Sequence, residues 1–148
     1  MQRNCALALG VIFLLLGIAG FIPGFTSVPG ETFNSGIPLD ADSIYAKGFN
    51  LVLGVFPSNF VHNLLHVAVG VLGIVAASTG NAKLYNQGFA ISYALIFAMG
   101  LIPVAKTFFG IMPVFGNNIW LNGLTGTIAG YYGFLGKDPE VSTDRINV

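Results

Sequence analysis

Pro57-Ser-Asn-Phe-Val-His-Asn-Leu-Leu-His-Val-Ala-Val-Gly70, continuing Val71-Leu-Gly-Ile-Val-Ala-Ala-Ser78, is the stretch that decides how this chain folds. No charged side chain interrupts it, and none occurs anywhere between Lys47 and Lys83. A helix that crosses a bilayer needs about 20 mostly apolar residues, roughly 30 Å at 1.5 Å per residue. This run supplies them. Within it Asn59, His62, Asn63 and His66 fall at i, i+3, i+4 and i+7, so four polar side chains share one helical face. Intramembrane polar groups turn away from lipid and toward partners inside a bundle. The stretch therefore predicts a spanning helix with neighbours.

The neighbours lie in the other charge-free intervals, from Arg3 to Glu31, Lys83 to Lys106 and Lys106 to Lys137. With the run above they place four spans near residues 5–25, 59–78, 88–104 and 118–135. Pro23 and Gly24 are expected to end the first and Gly80 the second; Pro103 ends or kinks the third, which has room to run on to Phe109. Arg3 and the apolar run after it fit a signal peptide's opening, but the run continues through Phe21 and Ile22 and is read as a retained span. Composition agrees with the spans. The chain has 148 residues, 54% hydrophobic and 8% charged, with six basic and six acidic side chains, where a soluble domain carries about a quarter charged residues. The reading is one all-α domain over residues 1–137, an integral membrane four-helix bundle, followed by a polar tail over 138–148. The lipid bilayer is its first partner. Nucleic acid is excluded as another, because no basic stripe exists to displace counterions.

An even number of spans puts both termini on one side. Arg3, Lys83, Lys137 and Arg145 share that side, against Lys47 and Lys106 on the other, so the positive-inside rule predicts cytoplasmic termini. The opposite face then receives two long apolar loop segments, residues 44–56 and 108–115. Each is too greasy to be solvated and too short to span, and together they should form an outer lid in the interface.

The polar face is the candidate site. Asn118, Asn122 and Thr125 repeat the pattern on the fourth span, and in an alternating topology both rows start at the outer end and should face each other. Two histidines one turn apart can share a metal, but no Asp or Glu lies in any span to act as a general base, which argues against metal catalysis and for no dedicated metal site. A tetrapyrrole asks for less: His62 or His66 could serve as an axial ligand to haem or chlorophyll, with Gly70 making room for the flat ring. The alternative is a structural hydrogen-bond network of His62, His66, Asn59, Asn63, Asn118 and Asn122. No serine sits in a hydrolase constellation, and Cys5, the lone cysteine, is read as packed. No nucleotide-binding motif is present. Gly126 and Gly130 form a GxxxG pair, and Gly10, Gly17, Gly20, Gly70 and Gly73 add small residues to the first two spans; these allow either a dimer seam or close packing within one bundle. Trp120, Tyr131 and Tyr132 suit the interfacial aromatic belt.

The run from Gly54 to Gly73, with its Phe56-Pro57 and His62-Asn63-Leu-Leu-His66, followed by Ala82-Lys-Leu-Tyr85, resembles a bacterial family, the domain-of-unknown-function family four-three-eight-three. The resemblance covers about Leu51 to Leu135 and marks Pro57, His62, Asn63, His66, Gly70 and Gly73. It implies a small four-helix protein of a bacterial inner or thylakoid-type membrane. Members often carry a further histidine near the start of the last helix, where this chain has Asn122, so a three-histidine metal site is not carried over. The expected function is a non-enzymatic accessory or assembly subunit that works with other membrane subunits or as a homo-oligomer. Haem or chlorophyll binding is the alternative, and a small redox enzyme or transporter a third.

Overall fold

A computed structural model describes residues 1–30 and 49–136. Its frame is four helices: α1, Gln2–Ala19; α2, Phe60–Thr79; α3, Ala82–Leu101; and α4, Asn117–Gly130, which runs straight on into a π-helical turn, Tyr131–Leu135. The first three are long and apolar enough to cross a membrane. The fourth reaches comparable length only with its π turn.

Local chemistry sets the helix ends. Asn59 caps α2, its Oδ1 accepting from the His62 backbone N–H at 2.9 Å, which satisfies one of the orphan donors of the first turn. Gly80, at φ 84°, closes the same helix in the left-handed conformation that a side chain would resist. Three boundaries differ from expectation. α1 stops at Ala19, short of residue 25, and the chain turns through Phe21 and Ile22 into a 3-10 turn, Pro23–Phe25. α3 starts at Ala82, ahead of residue 88, and so takes Lys83 into its first turn; a lysine stem can lie along a helix end while its ammonium stays in polar surroundings. Its far end is Leu101, because Ile102 precedes Pro103 and is extended (φ −95°, ψ 118°). The ring of a proline excludes its predecessor from the helical region, so α3 ends there without running on.

Burial is inverted relative to a soluble domain. Leu64 is 53% exposed and Leu84 69%, whereas Asn86 and Asn118 are 0% and 1% exposed. Water would not stabilise such a surface, and lipid does. Inside, Cys5, Leu9 and Phe13 of α1 meet Phe89, Ala90 and Tyr93 of α3 and Ala129 of α4. Cys5 is thus packed, as read from the sequence.

One end of the bundle carries a lid with a structure the sequence did not announce. Strands β1 (Thr26–Ser27), β2 (Asn50–Val52) and β3 (Phe56–Ser58) form a three-stranded antiparallel sheet, with Thr26 opposite Val52 and Asn50 opposite Ser58. The β2–β3 turn places Leu53 and Gly54 at φ 53° and 73°, the left-handed pair that matches the twist of a tight hairpin. Within the apolar segment expected to form an outer lid, Asn50–Val52 and Phe56 are paired strand backbone. Residues 44–48 of that segment, and the tail 138–148, lie outside the described residues. The loop before α4 completes the lid: Met112, Pro113, Val114 and Phe115 are buried, and Phe115 clusters with Phe49 and Leu51.

Candidate functional site

The two polar rows begin at the same end, as the alternating topology requires. Asn118 Nδ2, in the first turn of α4, donates to the Pro57 carbonyl at 2.6 Å and to the Pro113 carbonyl at 3.0 Å. Asn117 Nδ2 reaches the Val55 carbonyl at 3.1 Å, and Asn59 Nδ2 reaches the Ile111 carbonyl at 2.9 Å. These asparagines bind irregular backbone that helices alone would leave unpaired inside a membrane. They stitch β3, the lid loop and the starts of α2 and α4 into one unit.

The rows do not, however, simply hydrogen-bond to each other. Asn63 turns toward α1: its Nδ2 donates to the Gly20 carbonyl at 2.8 Å, and its Oδ1 accepts from Ser58 Oγ. A Cβ on Gly20 would fall on the Asn63 amide and displace that side chain. His66 also looks toward α1, its ring meeting the edge of Phe13 at 5.0 Å between centroids. His62 and His66 stand T-shaped to each other at 4.3 Å, and the Pro113 backbone faces His62. The rows meet at Pro113, which Asn118 also addresses, and at a small cavity lined by His66, Asn118, Pro57 and Ser58. Asn122 is buried one turn below Asn118. Thr125 returns its hydroxyl to the Leu121 carbonyl at 2.6 Å within its own helix.

What could this cluster hold? Among the described residues no three histidine, cysteine or acidic side chains gather as a metal site. The cavity beside His66 is about 10 Å3, whereas pockets for cofactor-sized molecules run to roughly 300–1,000 Å3. Gly70, expected to make room for a flat ring, instead admits helix α1: a Cβ there would overlap the backbone of Leu14. The residues present do not fit a tetrapyrrole inside the bundle. Gly10 and Gly73 serve the same seam, a Cβ on Gly10 falling 2.7 Å from Ile74 N. Gly126 and Gly130 face Tyr93 and Ala90 of α3, so the GxxxG pair packs within the bundle.

The sequence reading passed over a second polar group at the other end. Asn86 Nδ2 donates to the Gln2 carbonyl at 3.0 Å, Gln2 Nε2 to the Gly136 carbonyl at 3.1 Å, and Gln87 Nε2 to the Gly133 carbonyl at 3.0 Å. These bonds tie the starts of α1 and α3 to the end of α4. The signal was present: Asn86 and Gln87 are amides in a mostly apolar helix, the pattern that singled out Asn63 and Asn122.

No curated protein and no solved structure matches this chain. A family match does cover residues 3–135, nearly its whole length, and by that match the chain belongs to the domain-of-unknown-function family DUF4383.

Proposed function

We propose that the protein is a non-catalytic accessory or assembly subunit of a larger bacterial membrane complex, with four spans and cytoplasmic termini. The observation that carries this reading is an open apolar groove of about 750 Å3 on the outer faces of α3 and α4. Its floor is small, with Ala90, Ala94, Gly123 and Gly126, and its walls are Phe97, Trp120 and Phe134. Hydrocarbon gives helices no hydrophobic drive to associate, so association follows close packing over small residues. From Trp120 to Phe134 the groove extends about 21 Å along α4, most of a spanning segment. Its occupant on this reading is an apolar transmembrane helix of another subunit. The chain also lacks any Asp or Glu between Asp42 and Asp138, which leaves no carboxylate for proton chemistry in the bundle.

Thr127 lines the groove and is exposed, so Thr127→Trp should fill it from outside without touching the core. Native-size analysis in mild detergent should show the wild type in an assembly larger than one chain. The variant should migrate as the bare bundle with unchanged helical circular dichroism. A monomeric wild type, or an assembly that survives Thr127→Trp, would sink the proposal.

A further inference from the structure

A second groove, of about 520 Å3, runs between α1 and α4 and shares only Leu124 with the groove between α3 and α4. Its floor reaches the core: Cys5 and Leu9 line it, are buried, and pack in the cluster that holds Phe89 and Ala129. Its rims are exposed, with Ile12 on one helix and Leu124 and Ile128 on the other. The two helices meet deep in the bundle and part toward lipid.

Length, polarity and shape together say what fills it. The lining spans Met1 to Ile12 of α1 and Leu121 to Tyr132 of α4. The start of α1 lies by the end of α4, where Gln2 bonds to the Gly136 carbonyl, so the two stretches run antiparallel over the same depth. At 1.5 Å per residue each is about 17 Å long, and one leaflet contributes about half of a hydrocarbon core of roughly 30 Å. The groove is one leaflet deep, and a spanning helix would overrun it. Its polar groups are graded along that depth. Asn4 and Tyr132 bring N–H and O–H donors to the end at the start of α1, whereas Thr125, further in, returns its hydroxyl to the Leu121 carbonyl at 2.6 Å. The remainder, from Ala8 to Ile12 and from Leu121 to Ile128, is otherwise apolar. A phospholipid has the same order, oxygen-rich phosphate and esters at the interface and a chain beneath. Finally, no glycine lines the groove and Ala8 is its one alanine. Helices associate in lipid over small residues, so a second helix gains little here, while a flexible chain can follow leucine and isoleucine branches.

We propose that the α1–α4 groove holds one acyl chain of a phospholipid from the leaflet at the start of α1, with Asn4 and Tyr132 donating hydrogen bonds to its phosphate and ester oxygens. The held chain covers Cys5 and Leu9 and completes the wall between the two helices. This proposal is independent of the subunit reading, which concerns the other groove.

The test uses the full chain in nanodiscs of phosphatidylethanolamine and phosphatidylglycerol, doped with a phospholipid that carries a photoreactive diazirine on one acyl chain. Adducts are mapped by peptide mass spectrometry. Leu9 and Ile12 should be labelled severalfold above Leu7 and Val11, which are exposed on the same helix but do not line the groove. Ala8 lines the groove and is exposed, so Ala8→Trp should fill it and abolish the excess with unchanged helical circular dichroism. Leu7→Trp and Thr127→Trp should both retain the excess, and its loss in either overturns the proposal. Even labelling of all four positions overturns it in favour of passing lipid only, and so does an excess that survives Ala8→Trp. Groove residues left unlabelled while Leu7 and Val11 react overturn it in favour of a protein occupant. If Ala8→Trp does not fold, the wild-type ratio of Ile12 to Val11 decides alone.

Discussion

Asn59 does two jobs with one side chain, and they can be separated. Its Oδ1 caps α2, and its Nδ2 holds the Ile111 carbonyl of the lid loop. Replacing an N-cap asparagine by alanine costs about 1 kcal/mol, and the loss of the second bond, to the Ile111 carbonyl, adds to it. Asn59→Asp keeps the cap acceptor but removes the bridge. Thermal unfolding in detergent should therefore rank wild type, Asn59→Asp and Asn59→Ala in falling order. Equal melting temperatures for wild type and Asn59→Asp would show that the bridge to Ile111 contributes nothing, and equal values for the two variants would show the same of the cap. The polar face that contains Asn59 was readable from spacing alone, because a period of three and four residues is local to one helix. Its partners were not readable. The carbonyls of Gly20, Pro57 and Pro113 carry no side-chain signature, and only the fold brings them to Asn63 and Asn118.

Among the elements, α1 and α2 approach each other closely through Gly10, Gly17, Gly70 and Gly73. A methyl group on Gly10 would stand 2.7 Å from Ile74 N and 2.9 Å from the Gly70 carbonyl oxygen, both backbone atoms that cannot swing aside. Gly10→Ala should cost roughly 1–3 kcal/mol, the range for overpacking a tight interior. Gly88 in α3 is the control, since nothing lies within 4 Å of a Cβ built there. Gly88→Ala should be neutral or raise the melting temperature, by up to about 1 kcal/mol of helix propensity. If both alanines behaved alike in thermal denaturation, close backbone contact would not be what joins these helices. Charge-free intervals located the four helices well, since burying a charge in lipid is costly enough to mark a boundary. They misplace the start of α3 because Lys83, which marks a limit by that rule, lies in the first turn of the helix. The three-stranded sheet escaped notice for another reason: β1 is two residues long and pairs with β2, too short for any alternation to register.

At the scale of the molecule, apolar side chains clothe the outside and amides and imidazoles sit within. The lid end and the opposite end are each fastened by amide side chains, through Asn59, Asn117 and Asn118 on one side and Gln2, Asn86 and Gln87 on the other. Arg3 and Lys83 stand at the end opposite the lid, where α1 and α3 begin, and Lys106 follows α3 at the lid end. The proposed orientation puts the end that carries Arg3 and Lys83 in the cytoplasm. Reporter fusions within residues 79–87 and after residue 148 should then report the cytoplasm, and fusions within residues 26–42 the opposite side. A reversed pattern would turn the molecule over, and unlike behaviour of the first two would deny the four spans.

The lid bonds also impose an order in time. Chains are made from the N-terminus, and early segments organise before later ones exist. The carbonyls of Val55 and Pro57 find their donors in Asn117 and Asn118, 62 and 61 residues further along. While α3 and α4 are still in the ribosome or the insertion machinery, those carbonyls have only water or headgroups to bond. The β2–β3 hairpin must therefore wait at the membrane surface and can seat on the bundle only when α4 arrives. Closing the lid thus awaits the start of α4, and an unclosed lid marks a chain whose Asn117 and Asn118 have not yet docked.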